Sequence, residues 1–120
     1  MDKEFKKTEI FHGLVCITGQ NGFFDGKTLN IRAGDTVTIG RDRGSCTLLF
    51  PPDHDAISGT HCGLRYNAAR NAIELTDMES KNGTYTGDGN KLTPGVAHEL
   101  KDGDSFYLAV RENTFTARII

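Results

Sequence analysis

A chain of 120 residues has room for one modest hydrophobic core, which argues for a single domain. Its hydrophobic content of 37% and charged content of 25% are those of an ordinary globular protein and exclude a disordered one. A formal net charge of -2 supplies no basic field, so nucleic-acid binding is disfavoured, and no apolar run approaches the length of a membrane span.

The first ten residues, MDKEFKKTEI, are charged and lack the apolar stretch of a secretion signal. GLVCITG (13–19) follows as a short apolar run, then KTLNIRA (27–33) and DTVTIG (35–40), which alternate with period two. HCGLRYN (61–67), NAIELTD (71–77), DSFYLAV (104–110) and TFTARII (114–120) repeat that period of two. Turn-forming Gly, Asn, Asp or Pro bound each segment, and about eleven short strands are expected in all. No window carries the apolar spacing of a helix over three turns. The fold class expected is therefore all-β, a sandwich or small barrel. The single domain is taken as 1–120, and the ending on Arg118-Ile119-Ile120 within a strand pattern reads as a domain cut from a longer protein. Cys16, Cys46 and Cys62 are odd in number and irregularly spaced, which fits a reducing, cytoplasmic setting, with Cys16 and Cys62 expected as buried small apolar side chains.

Three possible chemistries fail on the residues themselves. NGFFDGKT (21–28) approaches a phosphate-binding P-loop, but Asn21 stands where the first glycine must be, and strand-period sequence follows in place of a helix. A hairpin turn is the better reading. Cys46, His54, His61 and Cys62 lack the short paired spacing of a zinc site, and neighbours such as His61 and Cys62 point to opposite faces of a strand, so no metal is expected. Ser58 and His61, with Asp53 or Asp55 as orienter, lack the turn that presents a nucleophile and any oxyanion hole, so no enzyme is expected.

A fourth constellation is coherent. Gly40-Arg41, Ser58-x-x-His61 and Ser80-Lys81-Asn82-Gly83-Thr84 lie in three loops, each just off a strand end. Arginine presents a planar fork of donors suited to phosphate. A serine hydroxyl, a lysine ammonium and loop amides complete a single-phosphate cradle, and an asparagine side chain can pair with a peptide backbone.

With Leu100-Lys101-Asp102-Gly103-Asp104 further on, this order of motifs resembles the forkhead-associated (FHA) domain, a phosphothreonine-binding β-sandwich, over about Gly13 to Ile119. The wording of the loops is most similar to bacterial members. The resemblance implies two packed sheets with recognition loops at one apex, no catalytic activity and no cofactor. It implies a partner protein or peptide carrying a phosphothreonine made by a Ser/Thr kinase, bound by a monomeric domain, with no role for nucleic acid or membrane. Under it Arg41 grips the phosphate, Ser58 gives a hydroxyl to a phosphate oxygen, and Asn82 bonds the ligand backbone. Gly40, His61 and Gly83 are architectural: Gly40 lets the chain turn so that Arg41 faces the apex, His61 braces the Ser58 loop, and Gly83 suits a positive φ.

The sequence departs from the family pattern after Ser58, where a basic or amide residue is usual and Gly59 stands here. Lys81 or the Thr60 hydroxyl is expected to substitute, and Arg43 to touch a ligand side chain. Asp42, Asp53 and Asp55 in the same loops oppose a dianion, which implies modest affinity or a ligand with basic residues. Two alternatives stay open: a module of the same fold that binds a partner without phosphate, and a sugar-binding sandwich. The second is disfavoured by the absence of Trp and an aromatic content of 8%.

Overall fold

The computed structural model describes residues 13–120. Among the described residues ten strands form, where the sequence pattern yields about eleven: β1 Leu14–Gly19, β2 Thr28–Arg32, β3 Thr36–Gly40, β4 Leu48–Leu49, β5 Cys62–Asn67, β6 Ala72–Asp77, β7 Thr84–Thr86, β8 His98–Leu100, β9 Ser105–Leu108 and β10 Thr114–Ile119. They make two five-stranded sheets, ordered β2-β1-β10-β9-β7 and β4-β3-β5-β6-β8. All pairings are antiparallel except β3 with β4, which run parallel through Ile39↔Leu48 and Gly40↔Leu49. The molecule is all-β, as its period-two sequence requires.

Alternation places one face of each strand inward. Val15, Ile17, Phe106, Phe115 and Ala117 from the first sheet meet Ile39, Leu64, Tyr66, Ile73 and Leu75 from the second. At the apex end, Phe24 and Phe50 pack edge to face with centroids 4.8 Å apart, so both flanking loops are anchored in the core. Cys62 is fully buried, but Cys16 is only half-buried. It lies on the outer side of β1, where its thiol donates to Asn30 Oδ1 at 3.2 Å. The apolar run 13–19 therefore alternates inward and outward like its neighbours.

Two segments differ from the expected pattern for local reasons. The strand expected over 104–110 stops at Leu108, because Ala109 adopts φ +66 and its N–H donates to the Gly83 carbonyl. The chain then passes through a single 3-10 turn, Arg111–Asn113, into β10. The expected hairpin turn at 21–28 contains a similar short turn, Gly22–Phe24, before β2. Among the described residues no helix is long and apolar enough to cross a membrane.

The ends of β1, β3, β4, β6 and β9 direct five connections to one end of the sandwich: 20–27, 41–47, 50–61, 78–83 and 109–113. The β8–β9 turn, containing Gly103 at φ +91, lies at the other end, where Gly103 N–H donates to Ala117 O.

Candidate functional site

Gly40 ends β3 at a place where only glycine fits. A Cβ there would lie 2.2 Å from the Gly59 carbonyl oxygen. Its φ is not in the left-handed region, so the expected role in turning the chain is replaced by one of clearance. This approach lets the Gly59 carbonyl accept the N–H groups of both Arg41 and Asp42 at 2.9 Å, zipping the 41–47 loop to the Ser58 loop.

Arg41 leaves that junction half-buried, and its side chain lies along the 50–61 loop. Nε donates to Ile57 O at 2.5 Å and Nη1 to Pro52 O at 2.7 Å. Two of its five N–H groups are thus used to hold the loop. The others have no protein partner among the described residues.

Ser58 is fixed from three sides. Its carbonyl accepts Arg41 N–H at 3.2 Å, its N–H donates to His61 Nδ1 at 3.0 Å, and its Oγ accepts Lys81 N–H at 2.8 Å. The hydroxyl proton is thereby left to donate outward. The Ser58–His61 contact is made by the backbone amide, so no imidazole stands ready to activate the hydroxyl.

His61 is fully buried just before β5. Because Nδ1 accepts from Ser58, the ring proton sits on Nε2, which donates to Gly83 O at 2.8 Å. Burial holds its pKa below the usual imidazole value, against opposing contributions from the Gly83 carbonyl and Asp77. The ring is a neutral brace between two loops.

The third loop is organised by a residue that motif reading passed over. Asp77, buried at the end of β6, accepts Ser80 Oγ–H at 2.6 Å and Thr84 Oγ1–H at 2.7 Å on Oδ1, and Ser80 N–H at 3.1 Å on Oδ2. Ser80 Oγ in turn accepts Gly83 N–H at 2.8 Å. Gly83 has φ +89, and a Cβ would come within 2.9 Å of Lys91 Cε. The legible signal was an Asp three residues before a Ser, the spacing of an Asx-type turn. Lys81 and Asn82 are held out at the tip of this loop, both exposed. Asn82 Nδ2 donates to Ala56 O at 2.9 Å.

The remaining positions fall around this cluster. Asp42 accepts Gly44 N–H at 3.1 Å and Ser45 Oγ–H at 2.8 Å, and these bonds hold its carboxyl below the usual range. It closes its own loop. Thr60 Oγ1 lies 3.2 Å from Ser45 Oγ, within that same network. Arg43 is exposed and, with Arg41, Leu49 and Pro52, lines a shallow groove on one side. Gly59 is exposed, and a Cβ added there would meet only Asp42 Cβ, at 3.8 Å.

Arg41, Ser58, Lys81 and Asn82 therefore belong to one hydrogen-bonded cluster at one apex of a β-sandwich, the architecture of a loop-based recognition module. The FHA domain model matches residues 37–109, and the chain belongs to that family. The FHA domain of an Arabidopsis thaliana hypothetical protein superposes with a TM-score of 0.77 at 21% identity, covering 92% of this chain and 88% of that one. The FHA domain of Chlamydia trachomatis CT664 gives 0.73 at 19% identity, covering 88% and 96%. The N-terminal FHA domain of Saccharomyces cerevisiae Rad53p, solved with a phosphothreonine peptide, gives 0.70 at 17% identity, covering 89% and 94%. A search of curated protein sequences gives no match.

Proposed function

We propose that this domain is a non-catalytic interaction module that binds phosphothreonine in a partner protein through the Arg41, Ser58 and Lys81–Asn82 apex. One observation carries the reading: the 78–83 loop is bonded directly to the Ser58 loop, through Lys81 N–H to Ser58 Oγ and Asn82 Nδ2 to Ala56 O. Arg41, Ser58 and Lys81 thus lie in loops bonded to one another and offer a guanidinium, a hydroxyl with a free proton and an ammonium, with the Asn82 amide for the ligand backbone. That set fits a single phosphate dianion on an extended peptide. The Rad53p domain, whose structure contains a phosphothreonine peptide, adds support by its likeness. Three free cysteines favour a reducing, cytoplasmic setting, where a Ser/Thr kinase would make the ligand.

Phosphate is gripped here with fewer side chains than is common in the family, since Gly59 offers none. Thr60 is tied to Ser45, so Lys81 is the better substitute. A phosphothreonine peptide array, probed before and after phosphatase treatment, tests the reading. Binding that disappears with the phosphate supports it; binding indifferent to phosphatase would make the domain a phosphate-independent interaction module.

A further inference from the structure

A cleft of about 400 Å³ opens beside the apex cluster, between the 20–27, 50–61 and 109–113 connections. Its apolar walls are Phe23 and Val110, which are 47% and 45% exposed although both are large hydrophobic side chains. Its lining also includes three carboxylates, Asp53, Asp55 and Glu112, and neither Lys nor Arg. The cationic residue nearest in sequence, Arg111, is turned away, with its guanidinium over the Tyr107 ring and on Gly87 O. Of the three acids, only Asp53 has a side-chain ion-pair partner among the described residues, His54 at 3.4 Å.

This cleft adjoins the apex cluster through a shared strip of chain. Ala56 and Ile57 line it, and their carbonyls are the acceptors for Asn82 Nδ2 and Arg41 Nε. A peptide held at Arg41 and Asn82 therefore passes along its edge. Negative charge is a liability beside a phosphate dianion unless something cationic sits between them. An exposed aromatic ring beside carboxylates suits a long amphipathic cation, whose methylenes cover the ring while its head meets the acids.

We propose that the cleft receives an arginine or lysine side chain of the same phosphopeptide, its stem on Phe23 and Val110 and its charge toward Asp55, Glu112 and Asp53. This rests on the phosphothreonine reading and adds the ligand class: a phosphothreonine flanked by a basic residue. The cationic side chain would also screen the acidic rim from the phosphate.

The test is fluorescence anisotropy on phosphothreonine peptides with arginine, alanine or glutamate placed at each flanking position in turn. Arginine at one position is expected to bind about fivefold tighter than alanine, and glutamate weaker still, with the difference shrinking at high salt. Asp55→Asn with Glu112→Gln should abolish that ranking, the alanine peptide serving as internal reference. Phospho-dependent binding that ignores flanking charge, or a ranking unchanged in the double variant, overturns the cleft proposal and leaves the phosphate site standing. Binding of none of the peptides, or binding without phosphate, overturns the phosphothreonine reading and the cleft proposal with it.

Discussion

The His61 Nε2–H donates to the Gly83 carbonyl at 2.8 Å across 22 residues of sequence, and it joins the two loops that carry Ser58 and Asn82. The same ring accepts the Ser58 amide on its other nitrogen. One buried side chain thus ties together two of the five connections at the apex.

Replacing His61 by alanine removes both bonds, leaves the part-buried Ser58 amide without its acceptor, and opens a cavity. A loss of about 2–4 kcal/mol of stability is expected by urea denaturation, with weaker phosphopeptide binding as a consequence. A variant that melts like the parent but has lost binding would make His61 a ligand contact.

The same ring predicts a pH dependence. Burial lowers the folded-state pKa of His61 below the usual 6.5 or so, so between the two values the unfolded chain binds the extra proton. Its contribution to stability is full above about pH 6.5 and is lost as pH falls from there toward the folded pKa. The expected result is a fall in the urea midpoint as pH drops through that window, reduced in His61→Ala. An unchanged slope in that variant would assign the effect to other groups.

Arg41→Ala should lower phosphopeptide affinity tenfold to hundredfold, since a charge-assisted bidentate contact is worth about 1.5–3 kcal/mol. It should also loosen the 50–61 loop, because Ile57 O and Pro52 O lose their donors. Arg41→Lys should recover only part of both, as a point charge cannot bridge two carbonyls and a phosphate. Calorimetry on folded variants checks the affinities; an unaltered Kd in Arg41→Ala would end the assignment.

Two glycines 19 positions apart should behave oppositely. At Gly40 a Cβ meets Gly59 O at 2.2 Å, so Gly40→Ala must part the two loops, at a cost of about 1–3 kcal/mol. At Gly59 the nearest contact is 3.8 Å and φ is ordinary, so Gly59→Arg should leave stability within about 0.5 kcal/mol. The added cation should tighten phosphopeptide binding roughly fivefold. Thermal denaturation and anisotropy on the two variants measure both effects.

Phosphothreonine should bind about tenfold tighter than phosphoserine in the same peptide. The family resemblance implies that the threonine methyl enters a small gap between the Ser58 and Asn82 loops, a burial of about 0.8 kcal/mol that grows when the gap is left unfilled. Its branch also restricts χ1, so less rotamer freedom is lost on binding. Phosphotyrosine should fail, its length holding the phosphate away from Arg41 or the backbone away from Asn82. Competition among three peptides differing only at that residue decides it, and equal affinity for the first two would remove the methyl gap.

Much of the molecule was legible in one dimension. A strand declares itself by alternation, so β5 and β6 fall within a residue of the expected 61–67 and 71–77. Arg41, Ser58 and Asn82 each stand beside a glycine in a fixed order, and order survives in sequence. The sequence by itself thus determined that strands form, which faces are apolar, and which side chains occupy the loop tips. Contacts between residues far apart in the chain were not legible, because alternation carries no information about partners. Only the tertiary structure decided that β4 pairs parallel with β3 and that Gly40 is required by the Gly59 carbonyl. It also decided that Arg41 braces the loop beside which it is proposed to bind phosphate. Hydrogen bonds act over about 3 Å in space, and only the packing of the two sheets brings those atoms that close.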